Sequence, residues 1–532
     1  MPVHHSHPRL LAELLSATAA RLPDKEALVF RNQRVTWSEF NRHVDNLAKA
    51  FLKMGIQRGD RIGVISTTRP EYLYTYLAIA RIGAVMVGFS ILYTPPELVR
   101  LAQLTKPVLM VVLGAAGDKK VAASLKPLFD SLSFVRHFVV IDDTVAPGAI
   151  RFGDLIAVDL PHQNVALAAR QAELDENDAA LIVFTSGSTG VPKGAVLTHK
   201  NIIDNIAVQV RHFGTREDNR CILHLPMNHV AGSTETTIPA LMTGATLILM
   251  DHFHPRHTLE TIQRERITML GQVPTMFIME FNLPDFAEFD LSSLLTVVVA
   301  GAPTPPPVMA KMMKMNENMT VITGYGMTEV AGFVTYTRPE DDPETIARTV
   351  GKVAPEFELR IVDDQHRNLP VGEVGEVAIR GSCVMKEYFD NPLETAAAID
   401  ADGWFYSGDQ GRLDFRGYLT LVDRKKDMFI SGGYNVYPRE IEEHLSQHPK
   451  VAFVAVLGDK DTVMGEVGVA YVVPRPGETL GDDEIKTHCK AGLAEYKIPR
   501  RIEIREKLPL TSLGKVDKMK LRAELADKGS NE

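Results

Sequence analysis

Short apolar runs alternate along this chain with longer segments whose apolar residues recur at the helical period. Residues 9–20, 38–53, 71–82 and 95–104 carry the helical spacing, and RIGVIS and VLMVVL are short runs beside them. Such a run reads as a strand buried on both faces, and strands separated by helices join through crossovers in a parallel sheet. The predicted fold class is therefore α/β. The alternation resumes after residue 180, with AALIVF, RCILHLP, ATLILM, ITMLGQVP and LLTVVVAG as strands and 200–212 and 256–265 as helices, so a second layered lobe is expected.

The texture changes between about 350 and 423, where FELRIVDD, GEVGEVAIRG and GWFYSGDQGRLDFRGYLTLVD read as short antiparallel strands with turns, a small β-barrel-like unit. Beyond 424, REIEEHLSQHP, DDEIKTHCKAGLAEY and KVDKMKLRAELADK read as helices and AFVAVLG, VGVAYVVP and RIEIRE as strands. The expected organisation is a large N-terminal domain, 1–424, holding both lobes and the β unit, and a small α+β C-terminal domain, 425–532. The run DRKKD at 423–427 is the expected linker.

A formal net charge of −9, with basic residues spread along the chain, leaves no footprint for nucleic acid. Three cysteines far apart, Cys221, Cys383 and Cys489, suggest neither a disulfide framework nor a zinc site and fit a reducing compartment. The first residues lack the pattern of a secretory signal, and the apolar stretch at 72–93 carries Arg81 and two glycines. That stretch is expected to be a buried helix followed by a strand rather than a membrane span, in a cytoplasmic protein with no integral membrane association.

FTSGSTGVPKGAV at 184–196 is the most informative short segment. Glycines let backbone approach a ligand closely, while hydroxyls and exposed N–H groups can surround phosphate oxygens, with Lys193 adding a charge. A flexible turn is one alternative and a nucleoside-triphosphatase P-loop another. The P-loop fits poorly: the order is Lys193-Gly194, no hydroxyl residue follows the lysine, and a strand-like AVLTH comes next. A hairpin loop over phosphate is the best account.

TSGSTGVPKG resembles the signature loop of the adenylate-forming enzymes, whose members include acyl-CoA synthetases. GYGMTE at 324–329, YSGDQGRLD at 406–414, VDRKKDMFISGGYNVYPREIE at 422–442 and LPLTSLGKVDK at 508–518 match further motifs of that family in its order, so the resemblance covers nearly the whole chain. It implies an ATP-dependent carboxylic acid:CoA ligase, activating a fatty, aromatic or alicyclic acid as acyl-AMP with release of pyrophosphate and then transferring the acyl group to CoA. ATP, Mg²⁺ and CoA are the implied cofactors and co-substrates. Thr185, Ser186, Gly187, Ser188, Thr189, Gly190 and Lys193 would cradle the ATP phosphates. Glu329 would hold Mg²⁺ and Thr328 would bond the α-phosphate. Tyr325 would pack on adenine beside Gly301, Ala302 and Pro303 of AGAPTP, and Asp409 and Arg424 would reach the ribose. Lys515 is the implied catalytic lysine, Lys426 the hinge on which the C-terminal domain rotates, and Gly432 and Gly433 the wall of a pantetheine tunnel.

His229 in PMNHVAGS matches the residue that relatives place near the substrate carboxylate, and a satisfied core histidine is its competing account. Small residues such as Gly232 and Gly324 would leave a roomy acid pocket. Loading of a carrier protein instead of CoA, luciferase-like oxidation, and a catalytically silent nucleotide-binding protein are the rival functions. The partner state is left open to a homodimer.

Overall fold

A computed structural model of the chain describes residues 7–115, 121–142, 148–185, 192–302, 304–424, 427–431, 434–511 and 514–529. The described chain divides into two compact units that interleave in sequence: Met1–Leu270, Gly326–Val334 and Arg380–Gly403 form the first, and Gly271–Tyr325, Thr335–Ile379 and Trp404–Glu532 the second.

The helical spacings are realised as helices Leu11–Arg21, Trp37–Lys53, Pro70–Arg81, Pro95–Thr105, His199–Phe213 and Pro255–Glu265 of the first unit. Their starts follow local chemistry. Thr36, Thr94 and Thr198 each close a reciprocal cap with the residue three positions on, Glu39, Glu97 and Asn201, which satisfies amide groups that the first turn leaves unpaired. The stretch at 72–93 is a buried helix followed by strand Val85–Phe89, as expected. Arg81, buried in that helix, spends its charge on Asn41 Oδ1 at 2.7 Å, Ser16 Oγ at 3.0 Å and Asp45 Oδ1 at 3.4 Å.

Eight strands form one sheet of this unit, in the spatial order Glu387–Tyr388, Lys193–Thr198, Ala179–Thr185, Val85–Phe89, Arg61–Ile65, Leu109–Leu113, His137–Ile141 and Ile150–Arg151. The strands from Ala179–Thr185 to Ile150–Arg151 pair in parallel, whereas Lys193–Thr198 and Glu387–Tyr388 add antiparallel. Strands Arg220–Leu223, Thr246–Leu249 and Glu26–Phe30 form a second parallel group in the same unit.

In the second unit, Glu358–Val362, Gly375–Arg380, Phe405–Leu413 and Leu419–Arg424 make a four-stranded sheet, the short-strand region read from the sequence. The tail folds around its own strands, Val451–Asp461 and Gly465–Pro474 in antiparallel register with Arg501–Ile504 beside them. Because side chains alternate across a sheet, Val456, Ala470 and Val472 face Ile441, Leu445, Ile485 and Cys489, while Ala455, Leu457, Val469 and Tyr471 face Leu521 and Leu525. Helices therefore cover both faces, and each fully buried aliphatic side chain contributes roughly 1.5–3 kcal/mol.

Glu280 is fully buried in helix Pro274–Phe281. Gln272 Nε2 donates to its Oε1 at 2.8 Å, and its Oε2 has no partner among the described residues. Burial pushes its pKa up to about 8, with the Gln272 bond opposing. A carboxyl held neutral in the folded state and free to ionise when unfolded favours folding most below about pH 4.5, and stability falls by about 1.4 kcal/mol per pH unit up to the folded pKa. Glu280→Gln should therefore melt progressively higher than the parent as pH rises from 5 to 8, with no further gain above that. A melting difference that does not change with pH would contradict this assignment.

Candidate active site

Within the first unit, strands Ala179–Thr185 and Lys193–Thr198 form a hairpin whose last register pair is Thr185 with Lys193. The loop it closes is thus delivered by two adjacent strands, as the residue order implied. Ser186, Gly187, Ser188, Thr189 and Gly190 of that loop lie outside the described residues. Thr185 Oγ1 donates to the Lys193 carbonyl at 3.5 Å.

The side chain of Lys193 pairs with Glu394, and its ammonium stands 5.1 Å from the centre of the Tyr388 ring. Tyr388 is placed by strand addition: it lies opposite Ala195, and Phe389 N donates to the Gly194 carbonyl at 2.7 Å. Its hydroxyl donates to Glu329 Oε1 at 3.0 Å. Burial, with the Glu329 charge adding, raises the phenol pKa well above the ordinary tyrosine range, so the hydroxyl remains a donor. Glu329 Oε2 has no hydrogen-bond or ion-pair partner among the described residues. A partly buried carboxylate with one oxygen anchored and the other open fits a hard divalent cation held together with phosphate oxygens.

Thr328 and Glu329 sit in the short 3-10 turn Thr328–Val330, which ends at Ala331 in the left-handed region with φ 63°. Such a turn needs support from outside, because a non-glycine residue at positive φ is strained. Asn205 of helix His199–Phe213 supplies it: Nδ2 donates to the Val330 and Phe333 carbonyls, both at 2.9 Å. Thr234 Oγ1 donates to the Ala331 carbonyl at 3.0 Å. Gly326 is required by close approach, since a methyl group there would lie 2.0 Å from the Gly332 carbonyl oxygen.

His229 is the N-cap of helix Val230–Ser233, its Nδ1 accepting from Ala231 N at 3.2 Å. In the neutral ring the proton then sits on Nε2. Gly232 does not open space: a methyl group there would meet the Pro226 carbonyl oxygen at 2.5 Å, so its size serves backbone packing.

The second unit carries the other expected residues. Tyr325 is buried at the end of strand Thr320–Met327, with Gly324 beside it, and Thr335 Oγ1 accepts from its backbone N–H at 3.1 Å. Its hydroxyl donates to Asp409 Oδ2 at 2.8 Å. Asp409 lies in strand Phe405–Leu413, where its register partner on Leu419–Arg424 is Arg424. The structure thus brings together the residues expected at adenine and ribose by direct hydrogen bond and by strand pairing.

Lys515 projects from a tight turn. Thr511 N donates to its carbonyl at 2.7 Å, Thr511 Oγ1 accepts from its N–H at 3.2 Å, and Gly514 adopts φ 77°. Thr275 Oγ1 donates to the Gly514 carbonyl at 2.5 Å. Gly301, beside Ala302, leaves room for the lysine: a methyl group there would lie 3.0 Å from Lys515 Cε and 3.2 Å from Nζ. Pro303, Lys426, Gly432 and Gly433 lie outside the described residues, as does the side chain of Arg424.

Tyr388, Glu394, Asn205 and Thr234 were missed from the sequence. Only Glu394 leaves a local trace: Asn391, Pro392 and Glu394 have the spacing of a helix start, and Asn391 Oδ1 accepts from Glu394 N at 3.2 Å.

The family model for the AMP-binding enzyme matches residues 15–389, and that for the AMP-binding enzyme C-terminal domain matches residues 440–515. The chain is 34% identical over 542 residues to the mitochondrial medium-chain acyl-CoA ligase ACSF2 of Bos taurus, covering 98% of this chain and 88% of the relative. It is 34% identical over 520 residues to the 3-[(3aS,4S,7aS)-7a-methyl-1,5-dioxo-octahydro-1H-inden-4-yl]propanoyl:CoA ligase of Rhodococcus jostii (strain RHA1), covering 97% and 99%. Among solved structures, the anthranilate CoA ligase AuaEII in complex with anthranoyl-AMP superposes with a TM-score of 0.89 at 25% identity, covering 100% of this chain and 99% of that one.

Proposed function

This chain belongs to the AMP-binding enzyme family, in its acyl-CoA synthetase branch, and on that premise we propose that it is an ATP-dependent carboxylic acid:CoA ligase acting on medium-chain or alicyclic acids. The observation that carries the reading is the placement of Lys515: a structured turn holds its ammonium over Gly301, in the segment assigned to the nucleotide.

In the first half-reaction an acid carboxylate oxygen attacks the α-phosphorus of ATP, the bond to the β-phosphate oxygen breaks, and pyrophosphate leaves. Negative charge builds on the oxygens around the α-phosphorus, and Lys515 and Thr328 are the donors proposed to meet it. Thr185, Lys193 and loop residues 186–190 take the departing phosphates. Mg²⁺, when bound with ATP at Glu329, supplies charge neutralisation on those phosphates. Tyr325 packs on adenine and Asp409 accepts from ribose hydroxyl groups, with Arg424 assisting. Asp409 Oδ2 also accepts from the Tyr325 hydroxyl, which ties the proposed ribose acceptor to the proposed adenine neighbour.

In the second half-reaction the CoA thiol gives up its proton to solvent, its sulfur attacks the acyl carbon, and the bond from that carbon to the AMP oxygen breaks, AMP leaving with the bonding electrons to give a thioester. We assign Lys426 to the hinge that exchanges Lys515 for the Gly432-Gly433 segment, at the boundary of domains 1–424 and 425–532. His229 is assigned to the carboxylate end of the acid. The three cysteines, all buried and unpaired, support a reducing compartment such as the cytoplasm, and among the described residues no helix is long and apolar enough to cross a membrane.

A panel of straight-chain, aromatic and alicyclic acids, scored for pyrophosphate release with and without CoA, tests the reading. Release that depends on a medium-chain or alicyclic acid, with acyl-CoA accumulating only when CoA is present, is expected. Thioester formation on a holo-carrier protein but not on CoA would overturn the acceptor assignment.

A further inference from the structure

We propose that Tyr388 is a positioning residue that couples the metal-binding carboxylate to the phosphate-loop lysine, its hydroxyl aiming Glu329 and its ring face holding Lys193. The proposal rests on the assignment of Glu329 to Mg²⁺ and of Lys193 to the ATP phosphates. It adds a residue to which neither the motifs nor the relatives' names give a role.

The geometry comes from three separate segments of the first unit. Lys193 opens a strand of the hairpin, Glu329 sits in a 3-10 turn, and Tyr388 belongs to the two-residue strand that pairs with the hairpin at Ala195 and Val196. The Tyr388 backbone is fixed on both sides, by strand pairing and by Thr395 Oγ1, which accepts from its N–H at 3.0 Å. A further backbone bond, Met385 N to the Glu329 carbonyl at 2.7 Å, ties the same segment to the turn. The tyrosine therefore stands on a rigid support, as a group that orients another must.

One side chain serves two charges of opposite sign. The hydroxyl occupies Glu329 Oε1 and so leaves Oε2 as the oxygen presented to a cation, which orients the carboxylate before the ligand arrives. The ring face attracts the Lys193 ammonium at 5.1 Å, while Glu394 pairs with it from another direction. Glu329 and Lys193 thus share one neighbour, a group that need not touch ATP.

The two functions of the ring separate by substitution. Tyr388→Phe keeps the ring face for Lys193 and removes only the bond to Glu329, and Tyr388→Leu removes both. Calorimetric titration of the full chain with ATP, once with excess Mg²⁺ and once with EDTA, gives the increment in affinity that the metal confers. In Tyr388→Phe this increment should fall roughly three- to tenfold while metal-free affinity stays within about twofold of the parent. In Tyr388→Leu metal-free affinity should also fall, by roughly two- to fivefold.

An unchanged increment in Tyr388→Phe, or equal losses with and without metal, would overturn the proposal, because the second pattern is what general loosening of the strand produces. Glu329→Gln distinguishes the role of the tyrosine from the assignment of the metal. If it abolishes the increment while Tyr388→Phe preserves it, the tyrosine's role fails and the site reading stands. If Glu329→Gln itself keeps the increment, the metal assignment fails and the proposal with it.

Discussion

Lys515→Ala is expected to slow acyl-adenylate formation by about 10²- to 10³-fold, the usual cost of removing one donor aimed at charge that develops in a transition state. Thioester formation from a supplied acyl-adenylate should stay near the parent rate, since the lysine has no part in the attack of sulfur on the acyl carbon. The turn that carries it is held by backbone and threonine bonds that alanine retains, so the effect is chemical and not a loss of fold. Single-turnover assays of each half-reaction make the comparison. Equal losses in both steps would remove Lys515 from its proposed role.

Lys426→Pro should give the mirror image. Proline fixes one backbone dihedral and removes a donor, so a hinge that turns about that residue is locked. Adenylate formation should persist, while thioester formation falls by about 10²-fold or more, the size of effect that misplacing reacting groups produces. If both half-reactions survive at parent rates, alternation about this position is not how the enzyme exposes the adenylate.

Periodicity and capping chemistry made much of the architecture legible. Six helices of the first unit, Leu11–Arg21, Trp37–Lys53, Pro70–Arg81, Pro95–Thr105, His199–Phe213 and Pro255–Glu265, and both layers of the tail follow from spacing, because each buries an apolar stripe or an alternating strand face. The hairpin was legible because no helix follows the Lys193-Gly194 pair directly. What local sequence could not carry was the return of distant segments. Tyr388 reaches Lys193 only because a two-residue strand adds to the hairpin almost two hundred positions later, and a strand that short has no periodicity to read. Asn205 looks like any polar residue of an amphipathic helix until the carbonyls of Val330 and Phe333 are seen in front of it.

Glycines were the other limit. Small size reads equally well as open pocket or as close backbone contact. At Gly232 and Gly326 the neighbouring carbonyl oxygens decide for contact. The acid pocket therefore cannot be sized by counting small residues in these motifs. The substrate class proposed for this chain comes from its relatives, not from those glycines, and the panel of acids tests it.

An enzyme of the proposed kind activates its carboxylic acid as an acyl-adenylate before any thiol is engaged. Acid-dependent exchange of labelled pyrophosphate into ATP, measured with purified full-length protein and no CoA, tests it most directly. The expected result is exchange that requires both Mg²⁺ and a medium-chain or alicyclic acid, and that falls by about 10²- to 10³-fold in Lys515→Ala. Absence of exchange with every acid, in a preparation that still forms acyl-CoA when CoA is added, would contradict a free adenylate intermediate.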